Sequence, residues 1–195
     1  MPIMYSTETI NRPAVYNRLL QKAEEINFSM PSDLHIGSLL KTLIASKPGG
    51  RFLELGTGIG LSLSWMIEGM DETSELITLD NDPKLTAIAE DFFGKDERVE
   101  IVCTDGSEWI LDYNGKPFDL IFADAWPGKY SEFEETLKHL KKGGFYVIDD
   151  MTKQLNWPEG HEQKAATLEQ FIENHPKLVV TKLDWSTGVM ICVKR

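Results

Sequence analysis

Cysteine is scarce: of 195 residues only Cys103 and Cys192 are cysteines, and each lies in an apolar, strand-like run. Two such residues cannot build a disulfide framework, and a reduced thiol in an apolar run behaves as a small hydrophobe, so both are expected in the core. No Cys/His spacing of a zinc site occurs. Apolar runs stay far short of the ~20 residues of a membrane span, and no basic, then apolar, signal segment opens the chain. These absences point to the cytoplasm and away from membrane partners. Positive charge is also in short supply, with 20 Lys+Arg against 31 Asp+Glu and a net charge of −11. Lys138, Lys141 and Lys142 flank a turn rather than forming a stripe. A phosphate backbone would be repelled, so nucleic acid is not an expected partner.

What is present reads as one α/β domain spanning residues 1–195, with a helical cap over 1–48 and a strand-helix core over 49–195. Residues 14–28 place Val15, Leu19, Ala23 and Ile26 on one helical face, and residues 34–46 do the same with Ile36, Leu39, Leu40, Leu43 and Ile44. Ser32 or Asp33 is the expected N-cap between them. Strands are predicted near 51–55, 75–80, 98–103, 117–123 and 144–149, alternating with helices near 60–69, 83–93, 106–112 and 131–140. Nearly all-apolar strands alternating with helices imply a parallel sheet covered on both faces. After a helix near 161–174, runs 178–183 and 188–193 have no helix between them and predict an antiparallel hairpin.

The run Phe52-Leu53-Glu54-Leu55-Gly56-Thr57-Gly58-Ile59-Gly60 is a strand opening into a glycine turn. Such a turn accepts a ligand against its backbone, and the following helix adds free N–H groups. Asp80 ends the next apolar run, where a carboxylate can grip the two hydroxyls of a ribose. Neither the phosphate-loop pattern nor the Gly-x-Gly-x-x-Gly of dinucleotide folds is present, which counts against a NAD-dependent reductase.

Glu-Leu-Gly-x-Gly-x-Gly resembles instead the first motif of class I S-adenosylmethionine (SAM) methyltransferases, as does a parallel sheet closed by an antiparallel hairpin. Within that class the chain is similar to the catechol and caffeoyl-CoA O-methyltransferase group, best over residues 30–150. The resemblance implies a Rossmann-like fold with a seven-stranded, mostly parallel sheet, two N-terminal helices and SAM as cofactor. It implies that Glu54, Gly56 and Gly58, with Thr57 and Gly60 of the same turn, line the cofactor's amino-acid end, and that Ser62 binds its carboxylate. Asp80, followed by Asn81, would hold the ribose. Asp105, followed by Gly106, would accept from the adenine amine, although Asp105 is also a good N-cap and one side chain could do both.

Asp124-Ala125-Trp126-Pro127-Gly128-Lys129-Tyr130 resembles the group's Asp-x-x-Lys-x-x-Tyr stretch, in which the Asp ligates a divalent metal and the Lys lies beside the acceptor oxygen. Asp124, Trp126 and Tyr130 match, with Trp126 placed to pack on adenine. Pro127 stands where the lysine is expected, and Lys129 is the nearest amine. Asp149-Asp150 replaces the group's Asp-Asn pair. Asp124, Asp149 and Asp150 would thus hold Mg²⁺ or a similar cation, unless the two later acids bond locally and the site is metal-free. The loop Asn156-Trp157-Pro158-Glu159-Gly160-His161 is the expected acceptor pocket, with His161 a candidate base beside Asp124 and Lys129. His35, His139 and His175 read as surface or packing residues. The expected activity is methyl transfer from SAM to an oxygen of a small molecule. A metal-independent methyltransferase and a non-catalytic SAM-binding protein are the alternatives, and the apolar N-terminal helices could serve a homodimer.

Overall fold

The central apolar runs 52–55 and 120–123 form strands with both faces covered, so every side chain along them is buried. A computed structural model describes residues 10–30, 32–154, 157–185 and 187–195; Asn156 of the expected acceptor loop lies outside them. Strands β1 (Arg51–Leu55), β2 (Glu75–Asp80), β3 (Val99–Cys103), β4 (Phe118–Ala123) and β5 (Leu140–Ile148) pair in parallel. The closing hairpin, β6 (Leu178–Leu183) and β7 (Val189–Lys194), is antiparallel, with β7 against β5. The 7-stranded sheet has the order β3-β2-β1-β4-β5-β7-β6. The strand order reverses between β1 and β4, which opens a crevice above their carboxyl ends, where α/β sheets bind ligands.

One face carries α1 (Tyr16–Glu25), α2 (Leu34–Ala45), α3 (Leu61–Gly69) and α4 (Pro83–Phe93), packed on Phe52, Leu120, Phe122 and Val147. The other carries α5 (Gly106–Asp112), α6 (Phe133–Lys138) and α7 (His161–Glu173), packed on Leu53, Leu55, Ile121 and Ile148. Successive residues of β1 therefore feed opposite layers. Burial of each such side chain contributes about 1.5 to 3 kcal/mol. Helix starts follow their caps: the Asp33 carboxylate accepts from His35 N at 2.7 Å, and Asp82, before Pro83, accepts from Lys84 N at 2.8 Å.

Several expectations need correction. Ile26 caps the C-terminus of α1 and is exposed, while Tyr16 takes the inward place and meets Trp65 edge-on at 5.6 Å. Cys103 is exposed at the end of the edge strand β3; only Cys192 is buried. β5 begins at Leu140 rather than near 144, because Leu140 already pairs with Phe118 before an irregularity in the ladder. Tyr16 and Leu19 of α1 and Ile36 and Leu40 of α2 pack with the α3 cluster around Trp65. Among the described residues, no helix is long and apolar enough to cross a membrane.

Candidate functional site

The glycine turn is strapped to the next strand. Gly56 N and Thr57 N both donate to Leu79 O at 2.9 and 3.0 Å. Gly58 N donates to the Asp80 carboxylate at 2.8 Å, and the other Asp80 oxygen accepts from Asp82 N at 3.0 Å. Asp80 thus braces two turns, and each oxygen keeps a lone pair for a ligand. Gly58 sits at φ 51, and a side chain there would meet the Phe28 ring at 3.1 Å.

Beneath the turn, Glu54 is fully buried. Ser62 Oγ donates to one carboxyl oxygen and Thr78 Oγ1 to the other, both at 2.6 Å. Since Thr78 gives its proton to Glu54, Thr57 Oγ1 donates to Thr78 Oγ1, also at 2.6 Å. Burial pushes the Glu54 carboxyl up to about 7, against the two hydroxyl bonds and aided by the nearby Asp80 charge. Ser62 lines the cavity, but with its proton on an ionised Glu54 it offers only acceptor lone pairs.

Opposite the turn, the loop after β4 is tightly wound. Tyr130 N donates to Trp126 O at 2.9 Å, Gly128 N to Ser131 O at 2.8 Å, and the Tyr146 hydroxyl to Gly128 O. This winding turns Lys129 inward, where it is only 4% exposed and donates to the Asp150 carbonyl at 3.4 Å. Burial and the Asp149 and Asp150 charges hold the Asp124 carboxyl well above the usual range, while Lys129 pulls it down. Burial, followed by the Asp150 charge, raises Asp149 to about 6, although Thr187 Oγ1 and Asp150 N each donate to its Oδ1 at 2.8 Å.

Aromatic groups line the same end. His161, the first residue of α7, has its Nε2 3.1 Å from the Tyr130 hydroxyl. Its ring lies 4.4 Å from that of Trp157 and 6.0 Å from that of Trp126. Burial, with the Lys129 and Lys164 charges, lowers its pKa and keeps the imidazole neutral at pH 7. Burial, with the Asp150 charge, raises the Tyr130 hydroxyl to about 12.

These parts enclose one cavity of about 700 Å³. Gly56, Thr57, Gly58, Ser62, Asp80 and Asn81 line it on one side, and Asp124, Trp126, Lys129, Asp149, Asp150 and His161 on the other. Four expected residues lie off its wall. Glu54 sits behind Ser62, and Gly60 faces α4, where a Cβ would strike the Phe93 ring at 2.7 Å. Asp105 caps α5, accepting from Ser107 N and Glu108 N, and Gly106 packs on Pro127. Phe28, Met30, Gln154 and Thr187 line the cavity without having been expected. Their only sequence signal was position beside turns.

The cofactor expected from the sequence fits this cavity: a side chain at Gly58 would enter it, and Asp80 and Ser62 present free lone pairs to it. A metal ion fits less well. Among the described residues, no three His, Cys, Asp or Glu side chains are gathered so as to hold one, although Asp124, Asp149 and Asp150 share the cavity.

The family model for O-methyltransferase matches residues 13–195. A putative O-methyltransferase of Mycolicibacterium smegmatis is 26% identical over 151 residues, covering 75% of this chain and 71% of that protein. A catechol O-methyltransferase of Niastella koreensis is 32% identical over 120 residues, 58% of this chain and about half, 54%, of that protein. Among solved structures, an O-methyltransferase from Bacillus cereus in complex with SAH has a TM-score of 0.81 at 22% identity, over 96% of this chain and 93% of that one. One from Streptomyces achromogenes, in complex with SAM, also has a TM-score of 0.81, at 20% identity over 95% and 92%. At these identities the structural likeness speaks for the fold.

Proposed function

The chain belongs to the O-methyltransferase family of SAM-dependent enzymes, and from that premise we propose that it methylates a hydroxyl oxygen of a small aromatic acceptor. It acts as one methyltransferase domain, with residues 1–48 as a cap on the core. The observation that carries the reading is the single cavity shared by the braced glycine turn and the Lys129–His161 end. When bound, SAM supplies an electrophilic methyl group on a sulfonium. Asp80 accepts from the ribose hydroxyls, the Gly56–Gly58 backbone cradles the amino-acid end, and Ser62 accepts from its ammonium. Trp126 and Tyr130 offer π faces to flat partners. Positioning of this kind lowers a displacement barrier by up to roughly 7 to 11 kcal/mol in well-oriented systems.

Neutral His161, steadied by Tyr130, is placed to take the acceptor's proton. The test is a panel of hydroxylated aromatics with methyl-labelled SAM. The O-methyl product is expected, and transfer to nitrogen alone would overturn the reading. On the best acceptor, His161→Ala should flatten the acid limb of the pH–rate profile, since the base form is lost below its lowered pKa. An unchanged limb would remove His161 from that role.

Cofactor choice is tested separately by calorimetry with SAM, SAH and NAD. SAM and SAH should bind and NAD should not; preferential NAD binding would sink the assignment. Asp80→Ala removes the ribose acceptor and the brace on Gly58 N. Charged hydrogen bonds of this kind contribute about 1.5 to 3 kcal/mol, so affinity should fall roughly ten- to a hundredfold. Unchanged affinity in the folded variant would move the ribose contact elsewhere.

A further inference from the structure

The acid-lined end of the cavity carries its own cation. Lys129 Nζ lies against the Asp150 carbonyl and 5.1 Å from the Tyr130 ring centroid, within the fields of Asp150, Asp124 and Asp149. Among the described residues lining the cavity it is the one Lys or Arg. Lysine is almost never buried so completely unless its charge is answered; here burial lowers the Lys129 pKa, and the nearby Asp150, Asp124 and Asp149 charges act through space to raise it again. The placement is built in by the backbone: Gly128 turns at φ 79, and the Tyr146 hydroxyl holds its carbonyl.

The acids, in turn, are not gathered around an ion while Lys129 lies beside them. Mg²⁺ and Ca²⁺ require several oxygens converging at about 2.0 to 2.6 Å. Asp149 spends Oδ1 on Thr187 and on the Asp150 amide, Asp150 holds a left-handed backbone at φ 54, and no three such groups are gathered among the described residues. The family pattern puts a lysine three places after the aspartate; here that place is Pro127, and the amine arrives two residues later from a wound loop.

We propose that the Lys129 ammonium takes the place of the divalent cation: it balances Asp124, Asp149 and Asp150 at the acceptor end, keeps them from gathering an ion, and makes methyl transfer independent of added metal. For its consequence this rests on the methyl-transfer reading; its binding test does not.

That test is a Mn²⁺ titration of the cofactor-free protein, followed by spin resonance of the free ion. Wild type should show no saturable site. Lys129→Met should acquire one, binding roughly tenfold or more tighter than any wild-type uptake, because three acids then lack a counter-charge. Asp149→Asn in that background should abolish it, and Lys129→Arg, which keeps the cation, should stay blind to Mn²⁺. Wild type should also turn over at full rate in chelator. The proposal is overturned if wild type binds stoichiometric Mn²⁺ at a site that Asp149→Asn removes, or if chelator stops turnover and Mg²⁺ restores it. It is equally overturned if Lys129→Met, with a normal thermal melt, remains as blind as wild type. Should Lys129→Met not fold, the wild-type titration decides alone. Failure of every acceptor to be methylated would count against the function and leave the titration result standing.

Discussion

Gly58→Val should lose SAM binding by at least about a hundredfold, equivalent to some 2.7 kcal/mol, while the chain still folds. Two effects converge. The backbone at position 58 is left-handed, φ 51, a conformation that costs an L residue about 1 to 2 kcal/mol and that a β-branched side chain tolerates worst. The new methyl groups must also go toward the Phe28 ring, 3.1 Å from the Cβ position, or into the cavity. Relief by rotating the peptide would break the Gly58 N bond to Asp80 and loosen the carboxylate proposed to hold the ribose. Gly58→Ala, with less bulk, should fall between wild type and Val. Calorimetry with SAM, paired with a thermal melt, separates binding from folding. Normal affinity in Gly58→Val would mean that the turn is structural and that the cofactor lies elsewhere.

Much of this site was legible because its chemistry is local. The turn from Gly56 to Gly60 and the acids at strand ends can be read in order, since parallel strands deliver their carboxyl ends to one side of a sheet. Strand positions were legible for the same reason: a run such as Phe52-Leu53 followed by Leu55 has no polar face to present. What the sequence hid depends on distant partners. Lys129 reads as the nearest amine to the place where Pro127 stands, but its burial is decided by Tyr146, from β5, which fixes the loop that turns it inward. Glu54 reads as a ligand-facing acid until Ser62 and Thr78 enclose it. Gly60 belongs to the same alternating pattern as Gly58, yet it serves packing against Phe93, and only the path of α4 decides that. Phe28 was invisible because nothing in a turn after a helix says which strand end it will cover.

Enclosure of Glu54 carries the second large effect. Its folded pKa is about 7 against 4.5 for the ordinary side chain, so the folded state binds the proton more tightly than the unfolded chain. A raised carboxyl of this kind favours the fold where it is protonated. Its stabilisation is therefore fully present below pH 4.5, declines as pH rises from there, and is gone above about 7. A difference of this size is on the order of 3 kcal/mol, taking 1.36 kcal/mol per unit. Glu54→Gln keeps the shape and cannot ionise. Relative to wild type, the variant should gain stability as pH rises from 4.5 to 8, by roughly 3 kcal/mol across the window. Denaturant unfolding of both proteins at several pH values measures that gap, and the shared contributions of Asp124 and Asp149 largely cancel in it. Parallel curves would show that Glu54 is ionised at no cost, held by Ser62 and Thr78 alone. The same substitution reaches function through Ser62. On the proposed Ser62 contact with SAM, a protonated Glu54, able to donate to Ser62 Oγ, would free that hydroxyl to donate to the cofactor's carboxylate, whereas an ionised Glu54 would restrict it to accepting from the ammonium. Wild-type SAM affinity should accordingly change across pH 6 to 8 with proton uptake or release, seen as a dependence of binding heat on buffer ionisation. In Glu54→Gln that dependence should disappear, and its persistence would place the linked proton on another group.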